Sequence, residues 1–140
     1  MIELNSDFGK VVQKHLNEEY AIWLTTVDPH GTPQPRPVWF IWEQDSFLIF
    51  SQAKAHKLVH IRKNPKVALH FNTDETGDKH VIVFTGEAFI DTDTSPAYHV
   101  PAYLEKYKNG IAGLEMTPDE FSREYSVPIR IRPVQVRGWE

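Results

Sequence analysis

Apolar positions along this chain change their period several times, and each change marks an element. Phe8, Val11, Val12, His15 and Leu16 recur every three or four residues, the spacing of one helix face. Asn5, Ser6 or Asp7 can cap that helix. Ala21–Val27 (AIWLTTV) is rich in β-branched and aromatic residues and ends in the turn sequence Asp28-Pro29-His30-Gly31. Pro35–Glu43 and Ser46–Ser51 read as two strands around Gln44-Asp45, and a helix from about Lys54 stops at Asn64-Pro65, because the residue before proline avoids the α region. Val67–Asn72 is a short strand, Asp74–Asp78 a polar turn, and Val81–Ile90 a longer strand. Ser95–Tyr125 is helical or irregular. Within it, Thr117-Pro118-Asp119-Glu120 combines a threonine cap, a proline at the first helical position and a glutamate placed to close a capping box.

The last segment, Val127–Trp139, alternates. Val127, Ile129, Ile131, Val134 and Val136 are expected on one face and Arg130 and Arg132 on the other, with Pro133 implying an edge position or a bulge. Six strands with tight connections and two or three helices predict a mainly β fold, a small six-stranded antiparallel β-barrel with flanking helices. A length of 140 residues without linker or repeat predicts one domain over residues 1–140.

Composition narrows the function classes. Hydrophobic residues make up 41% of the chain and charged ones 24%, as in an ordinary soluble protein, and no run of eighteen apolar residues suits a membrane span. No secretory leader is apparent and there is no cysteine, which removes thiolate chemistry and leaves the cytoplasm as the expected location. The net charge of −4 hides an asymmetry. No acid occurs between Ser46 and Thr73, whereas Lys54, Lys57, Arg62, Lys63 and Lys66 all do. A basic island on an acidic protein suits a small anionic ligand better than nucleic acid, whose binders are basic over a whole face.

The stretch from Arg36 to Lys57 concentrates the candidate chemistry. Lys54, His56 and Lys57 fall in the expected first turn of a helix, where the macrodipole is already positive, so an anion such as phosphate is the expected partner. Counting outward from a two-residue Gln44-Asp45 loop pairs Glu43 with Ser46, Val38 with Ser51 and Arg36 with Ala53. That register would bring Arg36, Ser51, Lys54 and Lys57 to one end of the hairpin, a donor set suited to a phosphate monoester. Pro35–Trp42 is apolar on both faces and predicts a strand covered on both sides, with Trp39 and Trp42 pointing oppositely. His56 and His60 are spaced i, i+4, but no Glu follows His56 and no third metal ligand is evident, so they are read as surface or phosphate-contacting residues. Nucleophile elbows and P-loops are missing.

The run from Ala21 to Phe71, the TGEA of Thr85–Ala88 and the closing RPVQVRGW together resemble the pyridoxamine 5′-phosphate oxidase-like split-barrel family. The resemblance implies an FMN-binding split β-barrel working as a homodimer with cofactor sites at the interface. It assigns the flavin-contacting strand to Arg36–Ile41, including Pro37, Val38 and Trp39, with Arg36 on the phosphate. It assigns an aromatic-hydroxyl pair to Phe50 and Ser51, and the phosphate grip to His56 and Lys57, His56 standing where the oxidases carry arginine. Trp139 matches an aromatic that reaches the flavin from the second subunit. The oxidases continue past that tryptophan with an Arg-x-His segment for substrate, whereas this sequence ends at Glu140, and its ending is similar to the small deazaflavin-dependent subgroup that uses coenzyme F-420.

The resemblance therefore implies an oxidoreductase exchanging hydride between FMN, or alternatively coenzyme F-420, and a small organic substrate, and not a true pyridoxamine 5′-phosphate oxidase. The cofactor carries the chemistry, so no catalytic side chain is nominated; His80 is the nearest candidate for a ring-edge hydrogen bond. A non-enzymatic protein that stores flavin or haem is the alternative.

Overall fold

The computed structural model describes residues 2–140. Helix α1 (Asp7–Glu18) starts at Ser6, whose side chain accepts a hydrogen bond from the Gly9 amide. It leads into β1 (Ala21–Val27), β2 (Pro33–Trp39), β3 (Ile41–Glu43) and β4 (Ser46–Ser51), then α2 (His56–Lys63), β5 (Lys66–His70) and β6 (Val81–Ile90). A 3₁₀ turn (Ala97–His99), α3 (Pro101–Gly113), α4 (Pro118–Glu124) and β7 (Val127–Trp139) complete the chain. Thr117 and Glu120 form the expected capping box at α4.

The seven strands form one antiparallel sheet in the order β2-β1-β5-β6-β7-β4-β3. Its two outermost strands, β2 and β3, are consecutive in the chain and separated only by Phe40. The sheet must therefore curl until its edges meet at that residue, which makes it a split barrel. The expected single strand Pro35–Glu43 is thus two strands with different partners, and the barrel has seven strands rather than six. Up to Trp39 the chain pairs with β1, with Arg36 opposite Leu24; from Ile41 it pairs with β4.

At this switch the backbone of Phe40 leaves both ladders, and α3 meets its needs. The Phe40 N–H donates to the Tyr107 hydroxyl at 2.8 Å, and the Phe40 carbonyl accepts from Lys106 Nζ at 2.8 Å. The ammonium also sits 3.8 Å from the centre of the Phe40 ring. Burial lowers Lys106 to about 8 from its ordinary 10.5, although Glu19 works the other way.

Two apolar clusters share the sheet. The barrel interior holds Phe40, Phe47, Ile49, Phe71, Phe84, Ile129 and Ile131, with Val12 and Leu16 from α1 and Leu58 and Ile61 from α2. The second cluster lies between β4 and the helices α3 and α4, and includes Ile41, Leu48, Phe50, Tyr103, Tyr107 and Phe121. All six residues of β4 are consequently buried, alternate side chains entering opposite clusters. The strand covered on both faces is β4, not β2: Pro33, Pro35, Arg36 and Pro37 are exposed. Trp39 and Trp42 do diverge, Trp39 into the helix cluster and Trp42 against the barrel interior.

The three exposed prolines recur at every second position. Since β2 must donate to β1 from Gln34, Arg36 and Val38, prolines 33, 35 and 37 remove every donor from its outer edge up to Pro37 and leave only carbonyls there. One of these, Pro35 O, accepts from the guanidinium of Arg36 itself at 2.8 Å. An edge without donors resists pairing with a stray strand.

Proline 133 marks a bulge, as expected. The register between β6 and β7 shifts between Thr85 and Gly86, whose partners are Gln135 and Pro133. Val134 is the extra residue and turns outward, 67% exposed, whereas Val136 returns to the core side. Gly86 allows the close approach: a Cβ there would come within 2.4 Å of the Arg132 carbonyl oxygen.

Candidate functional site

Helix α2 begins at His56, later than expected, so Lys54 precedes it and stays exposed in the turn before the cap. The cap residue is Ala55, with no side-chain cap and no acid in the first turn. The Leu58 amide donates to the Ala55 carbonyl at 3.2 Å, which leaves the His56 and Lys57 amides as the unmet donors of a helix start. On this short helix Leu58 and Ile61 enter the barrel interior, while His56, Lys57 and His60, at i, i+1 and i+4, face an open cavity.

That cavity, of about 610 Å³, is lined from α2 by His56, Lys57 and His60, from β2 by Gln34, Arg36 and Pro37, and from β1 by Leu24 and Thr26. Its volume lies within the ~300–1,000 Å³ range of small-molecule sites. Arg36 and Lys57 meet here although the expected hairpin register holds only from Glu43–Ser46 to Ile41–Leu48 and does not extend to Arg36. Arg36 arrives on β2, laid against β1, and Lys57 arrives on α2, which packs against β1 from the chain's other side.

Electrostatically the cavity favours an anion. Among the described residues neither Arg36 nor Lys57 forms an ion pair. Burial lowers the Lys57 pKa below that of an ordinary lysine, and the Arg36 charge lowers it further. An anion in the cavity would oppose both effects, because a nearby opposite charge favours the ammonium form. The one acid on the cavity wall, Asp28, already accepts from the amides of Thr32 and His30, both at 2.9 Å, and from Gln34 Nε2 at 3.0 Å. These bonds, that from Thr32 foremost, lower its pKa despite some desolvation.

A second cavity, of about 280 Å³, adjoins the first across Pro37, Ala55 and Lys57. It is aromatic. Trp39 and Phe50 from the barrel and Tyr103, Phe121 and Tyr125 from the helical segment line it. Trp39 is stacked on Tyr107, 4.6 Å between ring centres and 6° between planes, and α3 comes this close because Gly110 leaves the room. A Cβ at Gly110 would lie 2.8 Å from the Trp39 ring and closer still to the Tyr20 hydroxyl.

The expected site residues therefore divide. Arg36, His56 and Lys57 line the cationic cavity, Val38, Trp39, Phe50 and Ser51 the aromatic one, and Pro37 and Lys57 both. Ser51 is opposite Val127 rather than Val38, and its hydroxyl donates to the Gln52 carbonyl at 3.0 Å. It is a neighbour of the phosphate-type donors, not one of them. Trp139 lines neither cavity. It is 56% exposed beside the start of β6, its indole N–H bonded to the Asp78 carbonyl. His80 lines neither cavity as well, and its ring lies 5.7 Å from that of His15.

Sequence reasoning missed Thr26, Asp28 and Gln34 on one side and Tyr103, Phe121 and Tyr125 on the other, and left His60 between a surface and a phosphate-contacting role. The i, i+4 spacing of His56 and His60 was a usable signal for one helix face. No comparable signal tied residues 103–125 to Trp39.

Comparison with known proteins agrees with this architecture. The pyridoxine/pyridoxamine 5′-phosphate oxidase 2 of Hydrogenovibrio crunogenus is 33% identical over 72 residues, which cover 51% of this chain and 34% of that protein's length. The fold is similar to that of the conserved hypothetical protein Rv2991 of Mycobacterium tuberculosis, with a TM-score of 0.75, 21% identity, and 96% and 84% of the two chains covered. It is also similar to an F420 reductase, with a TM-score of 0.65, 23% identity, and 89% and 94% covered. The model of the pyridoxamine 5′-phosphate oxidase family matches residues 8–140, which takes in the whole barrel and both cavities. The chain belongs to the pyridoxamine 5′-phosphate oxidase family.

Proposed function

We propose that this chain, acting as one domain over residues 1–140, is a flavin- or deazaflavin-dependent oxidoreductase. It binds FMN, or alternatively coenzyme F-420, at the interface of a homodimer and passes hydride to or from a small organic substrate. The observation that carries this reading is the pair of cations in one cleft, Arg36 and a half-buried Lys57, without a carboxylate partner for either. Burying an ammonium beside a guanidinium is unfavourable until an anion joins them, and a phosphate monoester matches a guanidinium fork, an ammonium and free helix amides. The aromatic cavity next to it suits a planar ring.

The bound cofactor would supply the hydride chemistry. The chain's own residues bind and orient: Arg36, His56 and Lys57 hold the phosphate, and Pro37, Val38, Trp39, Phe50 and Ser51 border the ring. Trp139, exposed and outside both cavities, is free to complete the site of a second copy. The proposed setting is the cytoplasm.

Parallel titration of the purified protein with FMN and F-420 tests the reading. Lys57→Ala should weaken whichever binds by about tenfold or more, and unchanged affinity would refute the phosphate assignment. A Soret band with no flavin affinity would favour the haem-storage alternative. A monomer at micromolar concentration by light scattering would argue against an interface site.

A further inference from the structure

His60 is a costly residue for its position. It occupies the buried face of α2 against β1, only 9% exposed, where leucine would pack without needing a hydrogen-bond partner. Its Nδ1 lies 2.8 Å from the hydroxyl of Thr26, which is itself buried near the end of β1. That bond fixes the plane of the ring. The other nitrogen, Nε2, has no hydrogen-bond partner among the described residues, yet none of their buried side-chain nitrogens or oxygens goes unbonded. Nε2 must therefore retain open surface, and the surface that His60 lines is the cationic cavity.

We propose that His60 is a ligand-contacting residue of this cavity, held by Thr26 so that Nε2 donates a hydrogen bond to the anionic group that Arg36 and Lys57 attract. The proposal rests on the reading of the cavity as a phosphate site. Two protonation states give the same geometry. In a neutral ring the Thr26 hydroxyl donates to Nδ1 and the proton resides on Nε2; in an imidazolium Nδ1 donates to Thr26 and Nε2 still carries a proton. The competing acceptor on the wall, Asp28, is already engaged by Thr32, His30 and Gln34. Gln34, Arg36 and Pro37 from β2 and His56 and Lys57 from α2 complete the surroundings of the ring. Leu24 and Thr26 from β1 supply its floor. The role differs from that of His56, which is exposed at the helix start and free to take many rotamers. His60 is a rigid donor, and rigidity is what lets a contact discriminate between ligand shapes.

FMN and riboflavin differ by the phosphate alone, which makes them the probes. Binding of each is measured for the wild type, His60→Leu, His60→Gln and Thr26→Val, with thermal melting to check folding. His60→Leu should lose about tenfold in FMN affinity while riboflavin affinity stays the same. His60→Gln, whose amide nitrogen can reach the Nε2 position, should recover most of the loss, and Thr26→Val should lose an intermediate amount by freeing the ring. If the wild type prefers FMN to riboflavin and folded His60→Leu keeps that full preference, His60 is not a contact and the phosphate reading survives. If the wild type shows no preference for FMN, the phosphate reading and the proposal fail together. Should His60→Leu not fold, the ¹⁵N signal of His60 Nε2 in the wild type decides. A shift on titration with inorganic phosphate supports the contact, and a signal unmoved at saturation overturns it.

Discussion

Two arginines show how one residue type serves opposite ends in this protein. Arg130 is 5% exposed, in the first third of β7. Its guanidinium donates to Glu43 at 3.1 Å, Asp91 at 3.3 Å, Thr94 at 3.0 Å and Ser46 at 3.2 Å. It ties the β3–β4 hairpin and the loop after β6 to the closing strand, with its charge met on the spot. Arg36 is exposed on the proline-rich edge of β2, bonded among the described residues only to the carbonyl of Pro35, and shares its cavity with another cation, Lys57, whose pKa it lowers. A guanidinium that has found its carboxylates holds the structure together; one left among cations is available to a ligand. The residue type alone does not distinguish them, and neither does strand alternation.

The comparison breaks most visibly at Arg130. Arg130→Met should cost about 3 kcal/mol in denaturant unfolding, near the lower end for truncated buried ion pairs, because Glu43 keeps 32% of its side chain in water. A loss under ~0.5 kcal/mol would mean that the network stabilises nothing. Arg36→Met should do the reverse, with less than ~0.5 kcal/mol of stability lost and FMN affinity down about tenfold. Equal stability losses for the two variants would dissolve the distinction.

Acid sharpens it further. The Thr94 hydroxyl, the Asp93 amide and Arg130 hold the Asp91 carboxyl below its ordinary 3.8. Since the folded value lies below the unfolded one, this stabilisation is complete above about pH 4 and disappears as pH falls through the folded value. Arg130→Met should flatten the acid limb of stability against pH, and Arg36→Met should leave that limb unchanged. The smallest effect belongs to alkaline pH at the cavity. Lys57, its pKa lowered by burial and by Arg36, loses its charge earlier than an ordinary lysine as pH rises, so FMN affinity should decline earlier too. Lys57→Arg, charged throughout, should remove that decline, which fluorescence titration from pH 7 to 10 would detect.

Local features of the chain were readable where local energetics dominate. The Ser6 and Thr117 caps lie where expected. The Gln44-Asp45 turn joins Glu43 to Ser46 with both central residues at positive φ, as a two-residue hairpin requires. The bulge at Pro133 follows from a proline that has no N–H to give the ladder. What failed was long-range. The Arg36–Ala53 pairing assumed that a strand keeps its partner to the end, and the exchange of partners at Phe40 defeats that assumption. Arg130, expected to face away from the apolar residues of its strand, does so, but the loop of residues 91–100 covers that face.

The sequence alone established most of the elements, the basic island and the resemblance to a flavin-binding barrel, because caps, turns and side-chain period are decided within a few residues and survive any arrangement of the rest. Folding decided which cations meet. Arg36 and Lys57 converge because β2 pairs with β1 and α2 packs on that same strand, and Thr26 orients His60 from that strand too. Arg130 finds two carboxylates 39 and 87 residues away. Contacts at such separations depend on the closure of the whole sheet, and the energy that selects them is spread over the buried residues of both clusters rather than written in any one segment.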